Sequence, residues 1–197
     1  MTMNPPHSRN RWLRHLLLYS LLAVSFATFF WYLIDYQTEQ SNLAYEKRKA
    51  ERRLEQFEAI KKGEQQAHIF DILLLPMLAE DSDCASNILE VHFDMVEITS
   101  DSSEAISSFE NLKILGFYDC RGADYIMANA RDLPIESLYF RMARLSEESL
   151  RSLSEFPNLK SVRFEHVMKP HEIAIAQSLR PGIEVEIPWP AEDEPKP

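Results

Sequence analysis

The sequence predicts an α/β protein, a short solenoid of four repeats of 23–24 residues plus a closing strand, set behind an N-terminal transmembrane helix and a helical stalk. Three observations predict it. Residues 16–34 carry no charge. Residues 36–62 are polar and contain neither proline nor glycine before Gly63. Beyond them, four six-residue segments with the same apolar spacing recur between residues 88 and 164.

The chain has 197 residues, room for one modest globular domain and its attachments. Its net charge of −10 is unevenly spread: residues 1–62 hold 10 Lys/Arg against 6 Asp/Glu, and residues 63–197 hold 11 against 25. So acidic a C-terminal part repels phosphates and has no counterions to release, which excludes nucleic acid as a partner. The two cysteines, Cys84 and Cys120, have no metal-ligand spacing. They allow one disulfide in an oxidising compartment, although free, partly buried thiols are the plainer reading.

Residues 1–15 form a basic leader segment with Arg9, Arg11 and Arg14. The uncharged run 16–34 follows, and 19 residues at about 1.5 Å each give a helix of roughly 28 Å, close to the hydrocarbon thickness of a bilayer. Ser20, Ser25 and Thr28 are its polar residues, and their hydroxyls can bond back to helix carbonyls. Trp12 at one end and Trp31, Tyr32 and Tyr36 at the other suit the headgroup layers. The leading arginines favour a cytoplasmic N-terminus and an exported C-terminal domain, whereas Lys47, Arg48, Lys49, Arg52 and Arg53 pull the other way. Ser25-Phe26-Ala27 resembles a signal-peptidase site, but cleavage there would leave an apolar stub, so retention as a single-pass anchor is the expectation.

The charged stalk spans residues 35–63. Tyr36, Leu43, Ala50 and Phe57 fall seven apart, with Leu54 on a companion seam otherwise occupied by Gln40 and Lys47. That pattern allows a homodimer through the stalk, though a solvated helix laced with Glu/Lys/Arg pairs accounts for it as well. Residues 64–86, with the apolar stretch 68–78 interrupted by Pro76, are expected to cap the open end of the following core.

The repeats occupy residues 87–187. They read ILEVHF (88–93), LKILGF (112–117), IESLYF (135–140) and LKSVRF (159–164), with starts 24, 23 and 24 residues apart. Positions one, four and six are always apolar, and position six is always phenylalanine: Phe93, Phe117, Phe140 and Phe164. Asn87, Asn111 and Asn158 precede three of the units. A fifth start is expected at Ile183, where Glu186 and Pro188 fall in apolar slots, leaving a closing edge strand over 183–187. Between the six-residue segments, Leu150, Leu153 and Phe156 share one helical face, as do Ile106 with Phe109, and Ile173 with Ala176 and Leu179. The acidic, proline-rich tail 188–197 is expected to be disordered.

The pattern L-x-x-L-x-L at a period of 20–29 residues resembles the strand segment of leucine-rich repeats. Position nine, where that family uses Asn or Cys, holds Val96, Cys120, Ala143 and Val167, so only Cys120 conforms and the family's asparagine ladder is missing. The resemblance implies one strand and one helix per unit, stacked into a parallel sheet, with the outward sheet face as a protein-binding surface. Slots five and seven of that face hold His92, Asp94, Gly116, Tyr118, Tyr139, Arg141, Arg163 and Glu165. Tyr and Arg are the residues that interface hot spots prefer, while cross-strand ion pairs on a solvated face are the plainer account.

For catalysis the sequence offers little. His92 and Asp94 alternate on one strand face and could orient a metal or each other in a hydrolase. His171-Glu172 opens like a zinc helix, but the fifth residue is Ile175. Glycine-rich phosphate loops and nucleophile elbows are missing. The expectation is therefore a membrane-tethered interaction module for a protein partner, without enzymatic activity, cofactor or metal. A structural subunit assembled through the transmembrane helix and stalk is the alternative.

Overall fold

A computed structural model describes residues 7–188, so most of the acidic tail (189–197) lies outside the described residues. The chain divides into two compact units, residues 1–50 and 51–197. Helix α1 (His7–Lys61) runs through the first unit and supplies the opening turns of the second.

In the first unit the apolar run 16–34 is exposed on every side, as in Leu21, Val24, Phe30 and Ile34. It is the one helix among the described residues that is long and apolar enough to cross a membrane. Its serine and threonine hydroxyls are already satisfied within the helix. The hydroxyls of Ser20, Ser25 and Thr28 donate to the carbonyls of Leu17, Leu21 and Val24 at 2.9–3.0 Å. With those hydroxyls satisfied internally, and no charge in the run, the segment is compatible with a single-pass membrane anchor.

The second unit is an α/β fold. After α1 come β1 (Gln66–Ile69), α2 (Leu74–Glu80), α3 (Ser82–Asn87) and β2 (Glu90–Asp94). Next are α4 (Ser100–Ser103), β3 (Ile114–Tyr118), α5 (Ala123–Asn129) and β4 (Ser137–Arg141). The unit closes with α6 (Glu147–Ser152), β5 (Ser161–Glu165), α7 (Pro170–Gln177) and β6 (Glu184–Glu186). All six strands are parallel and lie side by side in chain order.

The register explains the sequence pattern. Position four aligns as Val91, Leu115, Leu138 and Val162, and position six as Phe93, Phe117, Phe140 and Phe164. The four phenylalanine rings stack in one buried column, with centroids 5.4, 5.1 and 5.3 Å apart and planes within 14°. That spacing is set by the strand separation of about 4.8 Å, so identical rings in neighbouring strands pack face over face. Ile106, Phe109, Leu150, Leu153 and Phe156, from the expected helical faces, are buried against the sheet. Successive units are tied by backbone. The carbonyls of Gln65, Leu89, Lys113 and Glu136 each accept two N–H groups from the next unit, at 2.7–3.2 Å. Slot-nine side chains are thus free to be apolar, and Val96, Cys120 and Ala143 are buried.

Three expectations need correction. The segment 64–86 is more than a cap, because it contributes β1, whose Ala67 and Ile69 continue the two buried columns. The sheet therefore has one strand more than the four repeats and a closing strand. Ala67 is too small, and Glu64 too polar, to announce that unit in the sequence. Next, β6 pairs one residue earlier than a start at Ile183 requires: Val162 aligns with Val185, and Arg163 with Glu186. Val185 and Ile187 thereby take the inward slots, and Glu186 turns outward. Last, the stalk does not end outside the domain. Ile60 is 1% exposed and Phe57 packs against the same core, while Arg53 Nη1 meets the buried carboxylate of Asp71 at 3.1 Å. Phe57, half-buried, thus serves the core of its own chain.

Candidate interaction face

Strand alternation turns slots five and seven away from the buried columns. The register then assembles two rows on the outward face. One runs His68, His92, Gly116, Tyr139, Arg163 and Glu186, and the other Asp94, Tyr118, Arg141 and Glu165. All seven residues singled out from the sequence (His92, Asp94, Tyr118, Tyr139, Arg141, Arg163 and Glu165) thus lie on one sheet face.

The rows have two chemically distinct halves. Over β4–β6, Arg163 Nε approaches Glu165 Oε1 at 2.6 Å, off the N–H axis, so the contact is an ion pair and not a directed hydrogen bond. Arg163 Nη1 also reaches Glu186 Oε2 at 3.3 Å, and Arg141 Nε stands 4.0 Å from Glu165. Tyr118, Tyr139, Arg141, Arg163 and Glu165 line a dimple of about 40 Å³. A drug-sized ligand needs several hundred Å³, so the dimple is too small to hold one.

Over β1–β3 the face is aromatic. The His68 and His92 rings stack with centroids 5.3 Å apart, and Tyr118 leans on His92 at 5.6 Å. Gly116 makes this arrangement possible: a Cβ there would come within 2.3 Å of His92 Nδ1 and 2.8 Å of Tyr118 Cε2. With the imidazole lying over the glycine, His92 is only 7% exposed. Its Nε2 faces Glu90 Oε2 at 3.4 Å, while its buried Nδ1 has no hydrogen-bond partner. Burial pushes the His92 imidazole below its ordinary pKa, against a smaller opposing effect of Glu90. Tyr118 is shifted up, first by burial and then by Glu165.

This geometry does not join His92 to Asp94: the carboxylate beside His92 is that of Glu90. His171 pairs with Glu147 at 3.2 Å. Among the described residues, no three His, Cys, Asp or Glu side chains converge as a metal site would require. Cys84 and Cys120 are separate, free and buried, and burial raises both thiols.

Slot eight, which the apolar consensus passes over, is the most informative part of the face. Met95, Asp119 and Met142 occupy it in three successive units with φ of 51°, 50° and 54°. A left-handed residue breaks strand alternation, so slot nine turns inward and slot eight is thrown out to solvent. Where φ stays negative the opposite happens: slot eight points inward in the first unit as Asp71, met by Arg53, and in the fifth as half-buried His166. Asp tolerates the left-handed region, whereas a methionine there costs about 1 kcal/mol. Met95 and Met142 are 72% and 65% exposed, so burial does not offset that cost. The sequence signal was available, since the three residues stand 24 and 23 apart, but slot eight has no apolar consensus to draw attention to it. Extending the period upstream from His92 would likewise have found His68.

No family model, curated protein or solved structure matches the chain.

Proposed function

We propose that the chain is a membrane-tethered protein-interaction module. Residues 16–34 span a bilayer, with the N-terminus cytoplasmic and the C-terminal unit exported, and residues 64–187 form a short leucine-rich-repeat-like solenoid. Its outward face, with Tyr118, Tyr139, Arg141, Arg163 and Glu165 at its centre, docks another protein. The observation that carries this reading is the alignment of those side chains in two adjacent rows on a sheet that buries its other face. Rigid strands hold Tyr and Arg side chains at low entropic cost, as hot spots require. The reading assigns no reaction to the face: the two buried, unpartnered polar atoms there are His92 Nδ1, which lies over Gly116, and Arg163 Nε, which stands beside Glu165.

The test is site-directed photocrosslinking of the full chain in its native membrane. A photoreactive phenylalanine analogue at Tyr139 is expected to give a discrete heteromeric adduct, lost on adding Arg141→Ala and Arg163→Ala. The same analogue at Glu148, on α6, should give none. Adducts formed only from Leu43, and only with a second copy, would replace this reading with assembly through the stalk.

A further inference from the structure

Among the described residues of the second unit, six large apolar side chains are exposed: Leu54, Phe70, Leu73, Met95, Tyr125 and Met142. Four of these follow within four residues of a strand's C-terminal end: Phe70 and Leu73 after β1, Met95 after β2 and Met142 after β4. Exposed apolar groups scattered singly are ordinary on a protein surface, but a concentration along one rim is not.

From this rim we infer a docking surface for a basic segment of a partner protein, one that presents a lysine or arginine flanked by apolar residues, with Asp119 as the charge it meets. The inference rests on the interaction reading above and moves its centre from the middle of the sheet face to the strand ends.

Backbone hydrogen bonds hold the rim in order. Met95 N–H donates to Tyr118 O at 2.9 Å, Asp119 N–H to Arg141 O at 2.8 Å and Met142 N–H to Glu165 O at 3.3 Å. With strands about 4.8 Å apart, the Asp119 carboxylate is thereby flanked on both sides by an exposed thioether. No cation among the described residues pairs with Asp119 or with neighbouring Asp94. A long side chain with an aliphatic stem and a cationic head complements this order of groups: the stem lies along the sulfurs and the head meets the carboxylate. Methionines adapt their shape to whatever covers them, which suits a surface filled only on binding. Two unpaired carboxylates, on a unit whose residues 63–197 hold 25 acids against 11 bases, disfavour an anionic lipid surface as the occupant.

The experiment follows the methionine methyl NMR signals of the full chain in nanodiscs of neutral lipid, assigned by Met→Leu substitution. The probe is the peptide acetyl-Ala-Leu-Lys-Leu-Ala-amide, compared with its Glu counterpart. The expected result is saturable shifts of the Met95 and Met142 methyls with the lysine peptide alone, weakened roughly fivefold or more by Asp119→Asn and recovered by Asp119→Glu. Equal response to both peptides, or no response, overturns the inference. So does strong broadening of the same two methyls by spin-labelled lipid, which would put the rim in the bilayer. If Tyr139 still gives its photocrosslink while these methyls stay silent, this inference alone fails and the interaction reading stands.

Discussion

His92 illustrates how one missing side chain organises its neighbours. Gly116 carries no Cβ, so an imidazole lies flat over the sheet, its Nδ1 turned into backbone and its Nε2 toward Glu90. A proton on Nδ1 would have no acceptor there. His166 also has a buried, unpartnered Nδ1, and burial lowers its pKa too. Both groups have folded pKa values below the ordinary 6.5, so the unfolded chain binds more protons as pH falls through that region. Their contribution to stability is complete above pH 6.5 and declines as pH falls toward their folded values. Urea unfolding of the full chain should therefore show a midpoint that drops below pH 6.5, and His92→Gln should flatten that drop. An unchanged pH profile in His92→Gln would mean that His92 is protonated in place.

At the scale of elements, the last turns of α1 carry more of the fold than their composition announces. Residues 51–61 are mostly charged, yet Ile60 is almost wholly buried while Leu54, on the same helix, is 55% exposed. Ile60→Ala should cost about 2–5 kcal/mol by denaturant unfolding, as a large-to-small change in a packed core does. Leu54→Ala should cost within about 0.5 kcal/mol. Equal, small losses would show that these turns are not part of the cooperative unit. The strands were largely legible because their period is short and their inward slots are filled by large residues: Phe93, Phe117, Phe140 and Phe164 stand out in a chain with 11 phenylalanines. β1 was not legible, because Ala67 fills its inward slot without a bulky residue. Nor was the true register of β6, where Ile183 offered an apolar start one residue too late.

At the scale of the molecule, the two units follow different physics. The run 16–34 is exposed along its whole length, which water makes costly and hydrocarbon does not. The chain is expected to stay in the membrane pellet through an alkaline carbonate wash. Leu21→Arg with Val24→Arg, each worth about +2.5–3.5 kcal/mol against insertion at a helix centre, should release it to the supernatant. Release of the unaltered chain would remove the anchor from the proposal.

What the sequence determined by itself is whatever depends on composition and short-range period: the apolar helix, the parallel strands from β2 to β5 and the outward rows of Tyr, Arg and acid. Each follows from hydrophobic burial acting on a local pattern, which one chain read in order reveals. The tertiary structure alone decided that Phe57 and Ile60 join the core, that His92 is buried against Gly116 and that slot eight turns outward as Met95, Asp119 and Met142. Those outcomes depend on which residues become neighbours across strands 23 or 24 positions apart, and on a backbone reversal that side-chain polarity does not encode.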